Sequence, residues 1–110
     1  MLSKHDFEYI KNKIVETVHP DAVYIFGSYA QGNADEHSDI DIAVIKKGLR
    51  KKDDFSEAVS KVRKSLESID SAKDILIFNS HRFNKRKNVF GSIQYEIYKK
   101  GLKLYEKKGN

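Results

Sequence analysis

Residues 26–42 read FGSYAQGNADEHSDIDI, and the chemistry of the chain is concentrated there. Gly27 and Ser28 close a run of β-formers, Ala22–Phe26, at a point where a residue without a Cβ lets the backbone turn sharply and approach a ligand. Such a turn presents amide N–H groups and a hydroxyl to phosphate oxygens. A short helical turn from Ser28 through Gln31, closed by Gly32, adds its positive end to the attraction. Asp39 and Asp41 then flank Ile40 at the start of a second apolar run, Ile40–Ile45. Alternation along a strand points both carboxylates to one face. Two carboxylates aimed at one spot repel each other unless a cation holds them, and Mg²⁺ shared with triphosphate oxygens meets that need.

Further along, a third apolar run, Asp74–Phe78, again opens on an acid. Placed beside the second strand, Asp74 completes a cluster of three carboxylates, the arrangement for two-metal phosphoryl transfer. One ion orients the triphosphate and the other lowers the pKa of the attacking hydroxyl. The candidate site is therefore Gly27 and Ser28 for the nucleotide, with Asp39, Asp41 and Asp74 for metal and catalysis. A Gly-Ser turn or an acidic strand entrance is common taken singly, and their succession on consecutive strands is what carries the signal.

The rest of the chain supplies a frame. Ser3 with Asp6 forms an acidic variant of the capping box, and Phe7, Ile10, Ile14 and Val18 follow at helical spacing up to His19-Pro20. The strand Ile40–Ile45 is apolar on both faces beyond Asp41, which predicts a central place in the sheet. Lys46–Lys52 is a basic connector. Asp54 with Glu57 then predicts a second capped helix, whose stripe runs Phe55, Val59, Val62, Leu66 and Ile69. Asn79–Asn88 is polar and basic and is expected to be a loop; Val89–Lys100 is expected to be a helix stopped at Gly101. Leu102–Tyr105 is expected to be a short edge strand. The order helix, strand, strand, helix, strand, helix, strand predicts an α/β (α+β) fold: a small mixed β-sheet flanked by helices.

Composition narrows the function classes. With 110 residues and 39% hydrophobic content the chain suits one compact domain, residues 1–110. No apolar run approaches the roughly 20 residues of a membrane span, and the N-terminus carries acids where a signal peptide has its apolar core, so a cytoplasmic protein is expected. Zero cysteines exclude disulfides and thiolate metal sites, leaving oxygen or imidazole ligands and favouring a hard ion. The net charge of +5, from 21 Lys and Arg against 16 Asp and Glu, is compatible with a phosphate ligand, nucleic acid or an acidic partner. His5, His19, His37 and His81 lack ligand spacing and are expected to be surface residues or, for His37, a loop spacer.

Gly27-Ser28, ten intervening residues, then Asp39-Ile40-Asp41, with Phe26 before and Ile42 after, resembles the signature of the polymerase-β-like nucleotidyltransferase superfamily. The chain length and the ending YEIYKKGLKLY, residues 95–105, resemble the minimal nucleotidyltransferases of prokaryotes, the MNT proteins. The resemblance implies that Ser28 contacts phosphate, that Asp39 and Asp41 bind Mg²⁺, and that Asp74 is the third carboxylate and base for the acceptor hydroxyl. One departure is Gln31, where many relatives carry an arginine facing phosphate. Larger members hold their acceptors with extra domains, for which 110 residues leave no room, so the acceptor is expected to arrive on a partner. The minimal members are similar to antitoxins paired with HEPN ribonuclease toxins, some of which they silence by adenylylating a tyrosine. The resemblance thus implies transfer of AMP from ATP, two Mg²⁺ ions, a HEPN-domain partner and a hetero-oligomer. The HEPN motif of arginine, four residues and histidine is absent from this sequence.

Two rivals remain at this stage. A contact antitoxin would keep the fold and bind nucleotide while neutralising its partner without efficient catalysis, and Gln31 favours it. The intact acidic pair opposes it. A nucleic-acid-binding domain is suggested by the basic segments, but an acidic cluster repels a phosphate backbone in the absence of metal.

Overall fold

Helix α1 (Lys4–Val18) starts where its caps predict. The Ser3 N–H donates to the Asp6 carboxylate at 2.8 Å, and the Asp6 N–H to the Ser3 hydroxyl at 3.3 Å. The helix ends on His19, whose φ of 49° turns the chain toward strand β1 (Ala22–Phe26). A single turn, α2 (Ser28–Gln31), and a loop lead to β2 (Ile40–Lys46). Then follow α3 (Lys52–Ser65), β3 (Lys73–Asn79), α4 (Ser80–Arg86), α5 (Ile93–Lys100) and β4 (Leu102–Glu106). The computed structural model describes residues 1–108.

The four strands form one mixed sheet in the order β3-β2-β1-β4. β1 is antiparallel to β2 and to β4, whereas β2 and β3 are parallel, with α3 lying in the crossover between them. The expected central place of β2 and edge place of β4 are both observed. Alternation sorts the side chains into two layers. Val23, Ile25, Ile42 and Val44 pack with Ile10 and Ile14 of α1 and with Val62 of α3. Tyr24, Ala43 and Ile45 face the other way, against Phe83 of α4 and Ile97 of α5. Each of these buried aliphatic side chains contributes about 1.5–3 kcal/mol.

The structure corrects several boundaries. Asp54 is not the N-cap of α3: the helix starts two residues earlier, and the Asp54 carboxylate reaches back to the N–H groups of Arg50 and Lys51 at 2.9 and 3.0 Å. Its buried face is Ala58 and Val62, with Phe55 and Val59 only half-buried. Leu66 and Ile69 lie beyond the helix, in the turns after Ser65. The segment 79–88 is largely helical, not a loop, because the Asn79 side chain caps the N–H groups of His81 and Arg82 and Phe83 has a core to enter. The basic residues Arg82, Lys85 and Arg86 therefore belong to a helix. The following helix begins at Ile93 instead of Val89. Gly91, at φ 90°, breaks the chain direction there, and Ser92 caps Tyr95. Gly101 is not in the left-handed region; it is needed because a Cβ would collide with the carbonyl of Ile97 and crowd that of Ile25.

Candidate active site

Strand pairing assembles the site at the edge where β2 and β3 enter the sheet and β1 leaves it. The parallel register sets Asp41 beside Asp74, and the antiparallel register sets Asp41 beside Phe26. Residues paired in this way project to the same side, so Asp41 and Asp74 share the face that carries Ala43, Ile45 and Phe78. Asp39, two residues before Asp41, lies one step outside β2 and is exposed, as is Asp74. The expected neighbourhood of the second and third strands is thus observed; it brings Asp41 and Asp74 to one end of one face, with Asp39 near enough for its charge to act on Asp41.

Gly27 sits directly against this group. Its φ is 71°, and a Cβ built on it would overlap the Asp41 carboxylate. The carbonyl of Gly27 accepts from the N–H groups of Ala30 and Gln31, both at 3.1 Å, and Gly32 closes the turn at φ 77° by donating to the Ser28 carbonyl. The N–H groups of Ser28 and Tyr29 precede the first intrahelical donors and have no hydrogen-bond partner among the described residues. In the loop beyond, Asp35 accepts from the His37 N–H at 2.8 Å, and the Asp35 N–H donates to the Ser38 hydroxyl at 2.9 Å. The His37 imidazole is exposed and lies 3.7 Å from the Glu36 carboxylate.

The electrostatics centre on Asp41. Burial holds its pKa above the usual carboxylate value, and the charges of Asp74 and Asp39 raise it further. Among the described residues, no Lys, Arg or His forms an ion pair with any of these three aspartates. As the side chains stand, no three carboxylates or imidazoles among the described residues close on a common point. The cluster is therefore a set of facing carboxylates, not a preformed cage.

Three α5 residues border the site and escaped the sequence. Ile93, Glu96 and Lys100 line a cavity of about 300 Å³ together with Phe26, Gly27 and Gln31. The one sequence signal pointing to them is the expected edge strand: pairing β4 with β1 carries the end of α5 to the end of β1. A second cavity of about 300 Å³, lined by Lys47, Ser80, Lys87 and Tyr98, lies at the start of β1 and contains none of the three aspartates.

The family model described as polymerase beta nucleotidyltransferase matches residues 8–110. The chain belongs to that family. No curated protein sequence is significantly similar to it. Among solved structures, a toxin–antitoxin complex with AMP-PNP contains a chain similar over 92% of this one and 74% of its own length, with TM-score 0.57 and 24% identity. A mutant form of the MntA–HepT toxin–antitoxin pair gives TM-score 0.53 and 26% identity, over 89% of this chain and 73% of that one. The complex of tri-AMPylated Shewanella oneidensis HEPN toxin with its MNT antitoxin gives TM-score 0.53 and 21% identity, over 92% and 73%. The polymerase-β-like nucleotidyltransferase fold is thereby shown.

The candidate donors in this family member suit a hard divalent ion. They are carboxylate oxygens alone, they repel one another at Asp41, and the protein offers them no cationic partner among the described residues. Asp39 and Asp74, being exposed, have the rotamer freedom to turn toward Asp41. No helix among the described residues is long and apolar enough to cross a membrane.

Proposed function

We propose that the chain is a Mg²⁺-dependent adenylyltransferase, a single domain over residues 1–110, which moves AMP from ATP to a tyrosine hydroxyl of a HEPN ribonuclease partner and so acts as its antitoxin. The observation that carries this is the seating of Gly27 on Asp41 with Asp74 in register beside it. That puts a glycine turn suited to phosphate directly beside a pair of neighbouring carboxylates. The solved relatives support the substrate and the partner: one complex holds AMP-PNP, and another pairs an MNT antitoxin with an AMPylated HEPN toxin.

In this reading Asp39 and Asp41 hold Mg²⁺, with Asp74 completing the set for a second ion. Mg²⁺ held there would offset the triphosphate charge and acidify the acceptor hydroxyl. Ser28 and the adjoining amides hold phosphate oxygens and fix the α-phosphorus in line with the acceptor. Asp74 takes the hydroxyl proton. The hydroxyl oxygen bonds to the α-phosphorus, the bond from that phosphorus to the α,β-bridging oxygen breaks, and pyrophosphate leaves. The partner supplies the acceptor and its placement, which makes a hetero-oligomer the working form.

The test is transfer of label from α-labelled ATP, with Mg²⁺, to a HEPN partner encoded beside this chain. Native chain is expected to label the partner, and Asp39→Asn/Asp41→Asn is expected to leave it unlabelled. Tight binding without label from any of the four nucleotides would replace this proposal with the contact antitoxin, for which Gln31 is the favouring residue.

A further inference from the structure

The end of α5 is held against the phosphate-binding turn. Antiparallel pairing sets Ile25 opposite Leu102, which brings the end of α5 beside the end of β1, where Lys100 and Glu96 line one cavity with Gly27 and Gln31. The approach is close: a Cβ on Gly101 would lie 3.2 Å from the Ile25 carbonyl oxygen. β2 and β4 flank β1 on opposite sides, so Asp41 on β2 and the end of α5, which leads into β4, lie on opposite sides of the end of β1.

Among the described residues, Lys100 is the one cationic side chain in the cavity it shares with Gly27 and Gln31. Its ammonium lies 3.1 Å from the Glu96 carboxylate, one helical turn back, and 61% of the Lys100 side chain is exposed. Such a pair is screened and weak, and a multiply charged ligand displaces it readily. An anion seated on the Gly27-Ser28 turn calls for a positive charge beside it, and Gln31 brings none.

We propose that Lys100 is the phosphate-binding cation of this site, leaving Glu96 when nucleotide binds and pairing with the β- and γ-phosphates. There it stabilises the charge that gathers on departing pyrophosphate. Position on the far side of Gly27 from the carboxylates lets it act on the leaving group without neutralising the groups that hold the metal. The inference rests on the nucleotidyl-transfer reading above, and it assigns the leaving-group end of the substrate to α5.

Calorimetric titration of the full chain with Mg–ATP and with Mg–AMP separates the two. Lys100→Met is expected to raise the Kd for Mg–ATP roughly tenfold, the scale of one charge-assisted hydrogen bond, and to leave that for Mg–AMP unchanged. Lys100→Arg is expected to keep the native affinity, and Gln31→Arg added to Lys100→Met to recover it. Glu96→Gln, which frees the ammonium, is expected to tighten Mg–ATP. Unchanged Mg–ATP affinity in Lys100→Met, or equal weakening of both nucleotides, would overturn the role of Lys100 while leaving nucleotide binding by the turn intact. Failure of the native chain to bind Mg–ATP at all would overturn both.

Discussion

The Asp41 carboxylate occupies the space that a side chain on Gly27 would need. The backbone at Gly27 is also left-handed, at φ 71°, so any other residue meets both a conformational cost and a collision. Gly27→Ala is expected to lose about 1–3 kcal/mol in urea unfolding and to lose nucleotide binding as well, since Asp41 must move. A variant that keeps native stability and affinity would show that the turn and the carboxylate are independent. Asp41 itself should behave in the opposite sense. Its charge is disfavoured by burial and by Asp74 and Asp39, so Asp41→Asn is expected to raise the Tm of the metal-free protein by a few degrees while abolishing transfer. Solvent screening keeps the gain below about 1 kcal/mol. Added Mg²⁺ should stabilise the native chain and not the variant, and a thermal melt with and without the ion reads both effects.

The start of α3 shows how one element is secured by an exposed side chain. The Asp54 carboxylate accepts from the Lys51 N–H and the Arg50 N–H, and these bonds hold its pKa below the usual value. A lowered folded-state pKa stabilises fully above the unfolded value, about 4, and the contribution is lost as the pH falls through the folded value. Asp54→Asn is therefore expected to melt a few degrees below native at pH 7, with the gap narrowing as both are acidified below about pH 4. A gap independent of pH would mean that charge plays no part. Asp54 was visible in the sequence as a helix signal, yet its position in the cap was not, because an acid at the cap and an acid three residues inside look alike until Arg50 and Lys51 are placed. The same limit explains α4. Its polar composition resembles a loop, and only the core around Phe83 shows why Asn79 caps a helix there. The strands and the acid-bearing turns were legible because each is written locally, in apolar runs bounded by Gly27, Asp39 and Asp74. Lys100 was not, since its nearness to Gly27 depends on which strand β4 joins.

At the level of the whole molecule the two faces of the sheet are unequal. α1 and α3 cover one face with Ile10, Ile14, Val62 and a continuous set of strand residues, several fully buried. The other face rests on a smaller group in which Phe83 is the keystone, its ring 6.0 Å from that of Tyr24 and 5.8 Å from that of Phe78. That thinner layer is the one that holds α5, and with it the cavity beside Gly27. Truncation of Phe83 to alanine removes about 3–5 kcal/mol of packing, and the loss should fall unevenly. Native-state hydrogen exchange is expected to show amides of α4 and α5 opening at a lower free energy than those of α1 in the native chain. In Phe83→Ala the difference should widen, and affinity for Mg–ATP should fall although every residue of the acidic cluster is intact. Equal acceleration of exchange in α1 and α5 would instead show that the layers unfold as one unit, and then the nucleotide site would be as stable as the core beneath it.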